Sequence, residues 1–400
     1  MTAGARAAAE RAARDSYGRL VALLAASTGD LAQAEDALAD AFERALTTWP
    51  ADGVPRNPDA WLLTVARNRL RDVWRSAATR RAAPLDDARA LTSPDGVDVD
   101  PDAIEDRRLA LLFVCAHPAI APDVRTPLMM QTVLGLDSQV VARAFAVPPG
   151  AMQQRLVRAK RRIARTRIPF VVPDRRAMPE RLPAVLEAVY GCAAVTWRQD
   201  GRELAGEAQH LAVVLASLLD DDAEAWALAA LVTLSLARRQ PGDVFVPLDE
   251  QDPATWDEHL VAEGESYLRR ATRPGPPGRF RLEAAIQAVH CDRRRTGVVD
   301  WAALRTLYLA LDAVAPSLGS RTALAAVVGR LDGPDAGLAA LPSEPVPAFQ
   351  PWWAARADLL ARAGRADEAG RAFARAAELA DDDTVRAYLD ARRRSDGHPS

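Results

Sequence analysis

The sequence is poor in what sheets, disulfides, metal sites and membrane spans require. Its 400 residues hold only 3 cysteines, 5 histidines and 6% aromatic residues. Runs of Val, Ile and Thr bounded by turn residues are scarce, so a large sheet has little to build on and an all-α fold is expected. Cys115, Cys192 and Cys291 are odd in number and far apart, which argues against a disulfide framework. Cys115 and His117 stand two apart, but no second pair at ligand spacing follows. They are read as buried structural side chains, with no metal or cofactor implied. No window of about 20 apolar residues occurs. Met1 to Leu20 mixes alanine with Arg6, Glu10, Arg11, Arg14 and Asp15, unlike the apolar core of a signal peptide. A cytoplasmic chain with no membrane partner is the expectation.

Catalytic signatures are missing too: no G-x-x-x-x-G-K-[ST], no G-x-G-x-x-G, no H-E-x-x-H and no G-x-S-x-G. The acidic stretch Asp249-Glu250-Gln251-Asp252, with Trp256-Asp257, offers either a carboxylate site or caps for the next helix. Capping is the simpler reading, and the chain is read as a non-enzyme.

What is present is helix. The length suits about two to three domains, and alanine dominates a chain that is 49% hydrophobic and 26% charged. A first helix over about 2–26 stops before Ser27-Thr28-Gly29. Asp30 then caps a second, whose Leu31, Ala34, Leu38, Phe42, Ala45 and Trp49 form one apolar stripe opposite Glu35, Asp36, Asp40 and Glu43. Asn57 and Pro58 start a third. It turns Trp61, Leu62, Val65, Leu70 and Val73 inward and carries Arg67, Arg69, Arg71 and Arg75 outside, with Arg80 and Arg81 following.

From Pro84 to Asp106, eight acids face one arginine among Pro94, Gly96 and Pro101, a composition that reads as a linker. Helical periodicity resumes over 107–116 and 126–135. Residues 137–145, a break at Ala146-Val147-Pro148-Pro149, and a helix from Gly150 to about Thr166 make a helix-turn-helix pattern. Ala142 is small where the two helices cross, while Phe145 and Val147 are expected to plug the turn. The second helix holds Arg155, Arg158, Lys160, Arg161, Arg162, Arg165 and Arg167 and no acid, seven positive charges in thirteen residues. Such charges repel one another unless an anion meets them. Gln153, Gln154, Arg155 and Arg158 can read base edges, and Lys160, Arg161, Arg162 and Arg165 can meet phosphates. The net charge of −3 therefore conceals a strongly cationic helix.

Beyond Pro173 the pattern predicts helices at about 180–198, 203–219, 222–239, 254–272, 280–292, 300–313, 320–331, 334–341, 351–363 and 367–380. In the last pair Trp353, Ala357, Leu360, Gly364, Ala369, Phe373 and Ala376 follow the large-small-aromatic spacing of a tetratricopeptide hairpin. Gly333 marks a looser copy 31 residues earlier.

Residues 30–46 and Asn57-Pro-Asp-Ala-Trp-Leu-Leu-Thr-Val-Ala-Arg-Asn-Arg69 resemble region 2 of bacterial sigma-70 factors of the extracytoplasmic function (ECF) group. Pro149-Gly-Ala-Met-Gln-Gln-Arg-Leu-Val-Arg-Ala-Lys160 resembles the recognition helix of region 4. The long C-terminal part is similar to the subgroup with a tetratricopeptide-like extension (ECF42-type). The resemblance implies region 2 over 1–82, a linker over 83–106, region 4 over 107–168 and a helical repeat domain over 169–400. It also implies partners: the RNA polymerase core (β′ and β subunits), promoter DNA, and a regulatory protein or ligand on the C-terminal domain. Glu35, Asp36, Asp40 and Phe42 would dock on polymerase. Asn57, Trp61, Arg67, Asn68 and Arg71 would hold the −10 element, the linker would thread toward the polymerase active-site channel, and the cationic helix would read the −35 element.

Overall fold

The computed structural model describes residues 3–81, 101–174, 176–196, 202–239, 244–343 and 348–395. Among these, every regular element is a helix, and no helix is long and apolar enough to cross a membrane. The chain divides into two compact units, Met1–Leu215 and Ala216–Ser400.

The first unit opens with α1 (Ala3–Thr28), α2 (Leu31–Asp52) and α3 (Pro58–Arg81). Asp30 accepts the Ala32 and Gln33 amides to start α2, and Asn57 Oδ1 accepts the Ala60 amide to start α3. Gly53, at φ 89°, ends α2 by donating to the Trp49 carbonyl, a conformation that side chains with a Cβ rarely adopt. The Ser16 hydroxyl and the Arg19 guanidinium both hold Asp59, locking α1 to the first turn of α3. Val73, read from the sequence as inward, lies exposed.

After the expected linker come α4 (Pro101–Cys115), α5 (Pro122–Thr132), α6 (Ser138–Ala144), α7 (Pro149–Thr166), α8 (Met178–Thr196) and α9 (Arg202–Leu219). Helix α4 begins inside the stretch read as linker, and residues 83–100 of that stretch lie outside the described residues. It is the central helix: Arg108 through Ala116 are all buried, the mark of a helix wrapped on every side. Helices α1, α5 and α8 pack against it. Helix α1 also comes backbone-close to the end of α5, since a Cβ on Gly18 would sit 1.9 Å from the Val133 carbonyl oxygen. Helix α8 lies along α5, with Gly191 against Met130, and Arg108 of α4 pairs with Glu207 of α9. A boundary at residue 169 is therefore not where contacts thin out: α8 and most of α9 belong to the first unit.

The second unit contains α10 (Ala223–Ala237), α11 (Glu258–Arg270), α12 (Arg279–Thr296), α13 (Trp301–Val314), α14 (Leu318–Leu331), α15 (Pro334–Ala340), α16 (Gln350–Arg362), α17 (Ala366–Glu378) and α18 (Asp383–Ser395). Its core helix is α10, buried from Ala225 to Leu234. Helices α16 and α17 are joined by a tight turn at Gly364, φ 74°, and bury Ala357, Leu360, Ala369, Phe373 and Ala376 together. Helix α18 had no counterpart in the sequence reading; Asp382 caps it through the Thr384 and Val385 amides, and Val385 and Leu389 are buried against α17.

Candidate nucleic-acid interface

The cationic helix is placed by a short chain of local decisions. Asp137 caps α6 through the Gln139 amide at 2.7 Å, and α6 ends after seven residues. Ala146 then adopts φ 51°, and Val147 donates back to the Ala142 carbonyl at 2.9 Å. Pro149 at the first position of α7 has its ring-fixed φ already helical. Ala142 is fully buried, as a close crossing requires, whereas Phe145 lies exposed instead of plugging the turn.

Met152, Leu156, Ala159 and Ile163 form the buried stripe of α7. On the opposite side Gln153, Gln154, Arg158, Arg161, Arg162 and Arg165 are exposed. Arg155 is half-buried, 3.4 Å from Asp123. Together with Arg158 and Arg162 it lines a cleft of about 370 Å³ against residues 119–124. The exposed face of α7 thus gathers guanidiniums and amides without an acid of its own, a surface suited to base edges and phosphates.

Lys160 departs from its sequence reading. It turns inward, and its Nζ donates to Glu35 Oε1 and Oε2 at 2.7 Å and to Gln131 Oε1 at 3.0 Å. Its side chain is 12% exposed and that of Glu35 16%, so in this arrangement neither faces DNA or a partner protein. Burial pushes the Glu35 carboxyl up despite the lysine, and it pushes the neighbouring Tyr17 phenol up, reinforced by Glu35 and Asp36. The signal was in the sequence: Lys160 follows Leu156 by four positions and precedes Ile163 by three, which sets it at the edge of the apolar stripe.

The region 2 candidates form a second surface. Trp61 meets Trp49 edge-on, ring centroids 5.5 Å apart. Arg67 is half-buried, and burial beside Arg71 lowers its pKa. Asn68 and Arg71 are exposed, and Asn57 is exposed while its side-chain oxygen caps α3. Of the docking candidates, Asp36 is exposed, Phe42 is half-buried and Asp40 bonds Arg69 at 2.5 Å.

The acidic stretch of the second unit is fully employed. Asp252 and Asp257 cap helical turns, Asp249 pairs with Arg330, and Glu250 accepts from Tyr388. Trp256 is buried with Arg238 and Arg293 over its ring. Cys115 is wholly buried, and His117 Nδ1 accepts the Ala119 amide.

Residues 13–80 match the family model of sigma-70 region 2, and residues 181–272 match a family of unknown function, DUF6596. The chain is 32% identical over 154 residues to the probable ECF RNA polymerase sigma factor SigI of Mycobacterium tuberculosis, covering 37% of this chain and 52% of that protein. These likenesses give the first unit a sigma-70 region 2 and support a sigma-70/ECF-like factor. At full length the chain is 34% identical over 372 residues, 89% of its own length and 88% of the relative's, to the uncharacterized protein R00370 of Rhizobium meliloti. It belongs to the same family as R00370. No solved structure matches it significantly.

Proposed function

We propose that this chain is an alternative ECF-type sigma factor, which brings core RNA polymerase to promoter DNA and does no chemistry of its own. The observation that carries the reading is the acid-free cationic face of α7, present in the same unit as a sigma-70 region 2. In this role α6 and α7 are the region 4 helix-turn-helix, with Gln153, Gln154, Arg155 and Arg158 reading the −35 element. Arg161, Arg162 and Arg165 hold phosphates. Asn57, Trp61, Arg67, Asn68 and Arg71 hold the −10 element, with the half-buried Trp61, backed edge-on by the buried Trp49, offering its ring to an unpaired base. Asp36 and Phe42 dock on the polymerase core, through its β′ and β subunits. The second unit is a regulatory module of the tetratricopeptide-like, ECF42-type kind, a reading supported by the α16–α17 hairpin.

Transcription in vitro with core polymerase and a pool of promoter sequences tests this. A promoter-dependent transcript that appears only with the chain is expected; none from any selected sequence, with folded protein, would overturn it. Reversing Asp36 to arginine should abolish co-purification with core. Retained co-purification would remove Asp36 from the docking surface.

A further inference from the structure

We propose that the second unit holds a binding site for a small organic anion, a carboxylate or phosphate joined to an apolar body, in the cleft where α15, α16 and α17 meet. The site rests on this cleft alone and stands or falls apart from the sigma-factor reading.

The cleft measures about 560 Å³, within the roughly 300–1,000 Å³ range of pockets that bury a small ligand. Its apolar walls come from Leu338 of α15, Leu341 just beyond it, and Trp352 and Trp353 of α16. The two indoles stand edge-on, ring centroids 5.0 Å apart, and Trp352 is pinned by its Nε1–H, which donates to the Pro342 carbonyl at 3.2 Å. Such walls suit a flat apolar body.

The charges of the cleft are lopsided. Its charged side chains are Arg356 of α16 with Glu368 and Arg371 of α17. The one acid is already taken, because the Arg365 guanidinium donates to both Glu368 oxygens, at 2.7 and 2.8 Å. Those bonds, with Arg371 and Arg356 close by, hold the Glu368 carboxyl below the usual carboxylate range. Arg356 lies over the Trp352 ring, 5.6 Å from its centroid, and neither it nor Arg371 makes an ion pair among the described residues. Two guanidiniums thus share a cleft with no anion of their own, and the planar fork of each matches a carboxylate or a phosphate. Trp353 adds a further donor: its indole N–H is buried and the fold supplies it no acceptor. Buried donors are nearly always satisfied, so this one marks the cleft wall as short of acceptors. The larger cleft of this unit, about 710 Å³ between α11 and α12, mixes Glu265, Asp292 and Asp300 with Arg269 and makes no such demand for an anion.

Calorimetric titration of the full chain tests the site. Phenylpropionate and benzyl phosphate carry the anion on an apolar body, phenylpropanol has the body alone, and acetate the charge alone. At least one of the first two should bind saturably, one molecule per chain, and the tighter of them identifies the head group. The alcohol and acetate should each bind at least about tenfold more weakly, as the loss of a charge-assisted contact implies. Neither arginine is buried, so changing it spares the core. Arg356→Gln and Arg371→Gln should each weaken the tighter probe about tenfold. Glu368→Gln should instead tighten it about threefold, the effect of removing a like charge roughly 6 Å away in water. A damaged fold cannot imitate that gain. No saturable binding of either anionic probe would overturn the site. So would binding that the alcohol matches, that both arginine changes leave intact, or that Glu368→Gln does not strengthen.

Discussion

At the scale of single residues, the cations of α7 fall into three kinds that the sequence shows alike. Lys160 is spent inside the protein, Arg155 is half-buried beside Asp123, and Arg165 is exposed near the C-terminal end. Arg155→Ala should therefore cost about 1–3 kcal/mol of discrimination between matched and scrambled −35 sequences, whereas Arg165→Ala should weaken all DNA alike and make the salt slope shallower by about one. Binding isotherms at several salt concentrations separate the two, and equal loss on both sequences in the Arg155 variant would remove its base-reading role. His290 supplies a residue-scale prediction in the second unit. Burial, with Arg238 and Arg293 nearby, pushes its imidazole down to about 3. A histidine kept neutral in the fold binds fewer protons than the unfolded chain between that value and its ordinary one near 6.5. Stability is then fully present above about pH 6.5 and falls as pH drops toward 3, by an amount on the order of a few kcal/mol. Urea unfolding from pH 7.5 to pH 4.5 should show this decline, and His290→Asn should flatten it; an equal decline in both proteins would exclude His290 as its source.

At the scale of elements, periodicity reveals which face of a helix is apolar but not what that face meets. The stripe Met152, Leu156, Ala159 and Ile163 was legible, as were the caps at Asp30 and Asn57, because cap and stripe are both local. The exposure of Val73 and Phe145 was not legible, since apolar spacing alone does not say which positions a neighbour covers. Helix α18 was not predicted, although Asp382 works as its cap through the Thr384 and Val385 amides. The glycine contacts were equally hidden. Gly329 of α14 and Gly337 of α15 meet under Leu359 of α16, and a Cβ on Gly337 would lie 2.8 Å from the Gly329 Cα and 2.7 Å from Leu359 Cδ2. Gly337→Ala should accordingly cost about 1–3 kcal/mol through overpacking. Gly370, inside α17 with nothing within 4 Å of its Cβ position, should instead gain about 0.5–1 kcal/mol when changed to alanine. Denaturant midpoints for the two variants should move in opposite directions, and a common direction would contradict the packing described.

At the scale of the whole molecule, the decisive question is where the sigma-like part ends, because any test of the extension's role begins by removing it. The motifs resembling sigma factors stop near residue 168, which invites a cut there. Packing places the end later: α8 buries Leu182, Val185, Leu186 and Val189, it lies along α5 and α4, and Glu207 of α9 meets the buried Arg108. The DUF6596 match over 181–272 takes in helices of both units, so its limits do not mark the edge of a fold either. Four large apolar side chains at about 1.5–3 kcal/mol each amount to as much as a domain's whole net stability. A chain ending at Asp174 would bare the α4–α5 surface and leave the Arg108 guanidinium without Glu207. It should aggregate, or bind a hydrophobic dye and melt without cooperativity. A chain ending at Leu219, where α9 stops, should unfold cooperatively. If the shorter chain proves as stable as the longer one, α8 and α9 are not part of the first unit's core. If the order is as expected, loss of activity on cutting at 174 reports a broken fold, and only the cut at 219 reports what the second unit contributes.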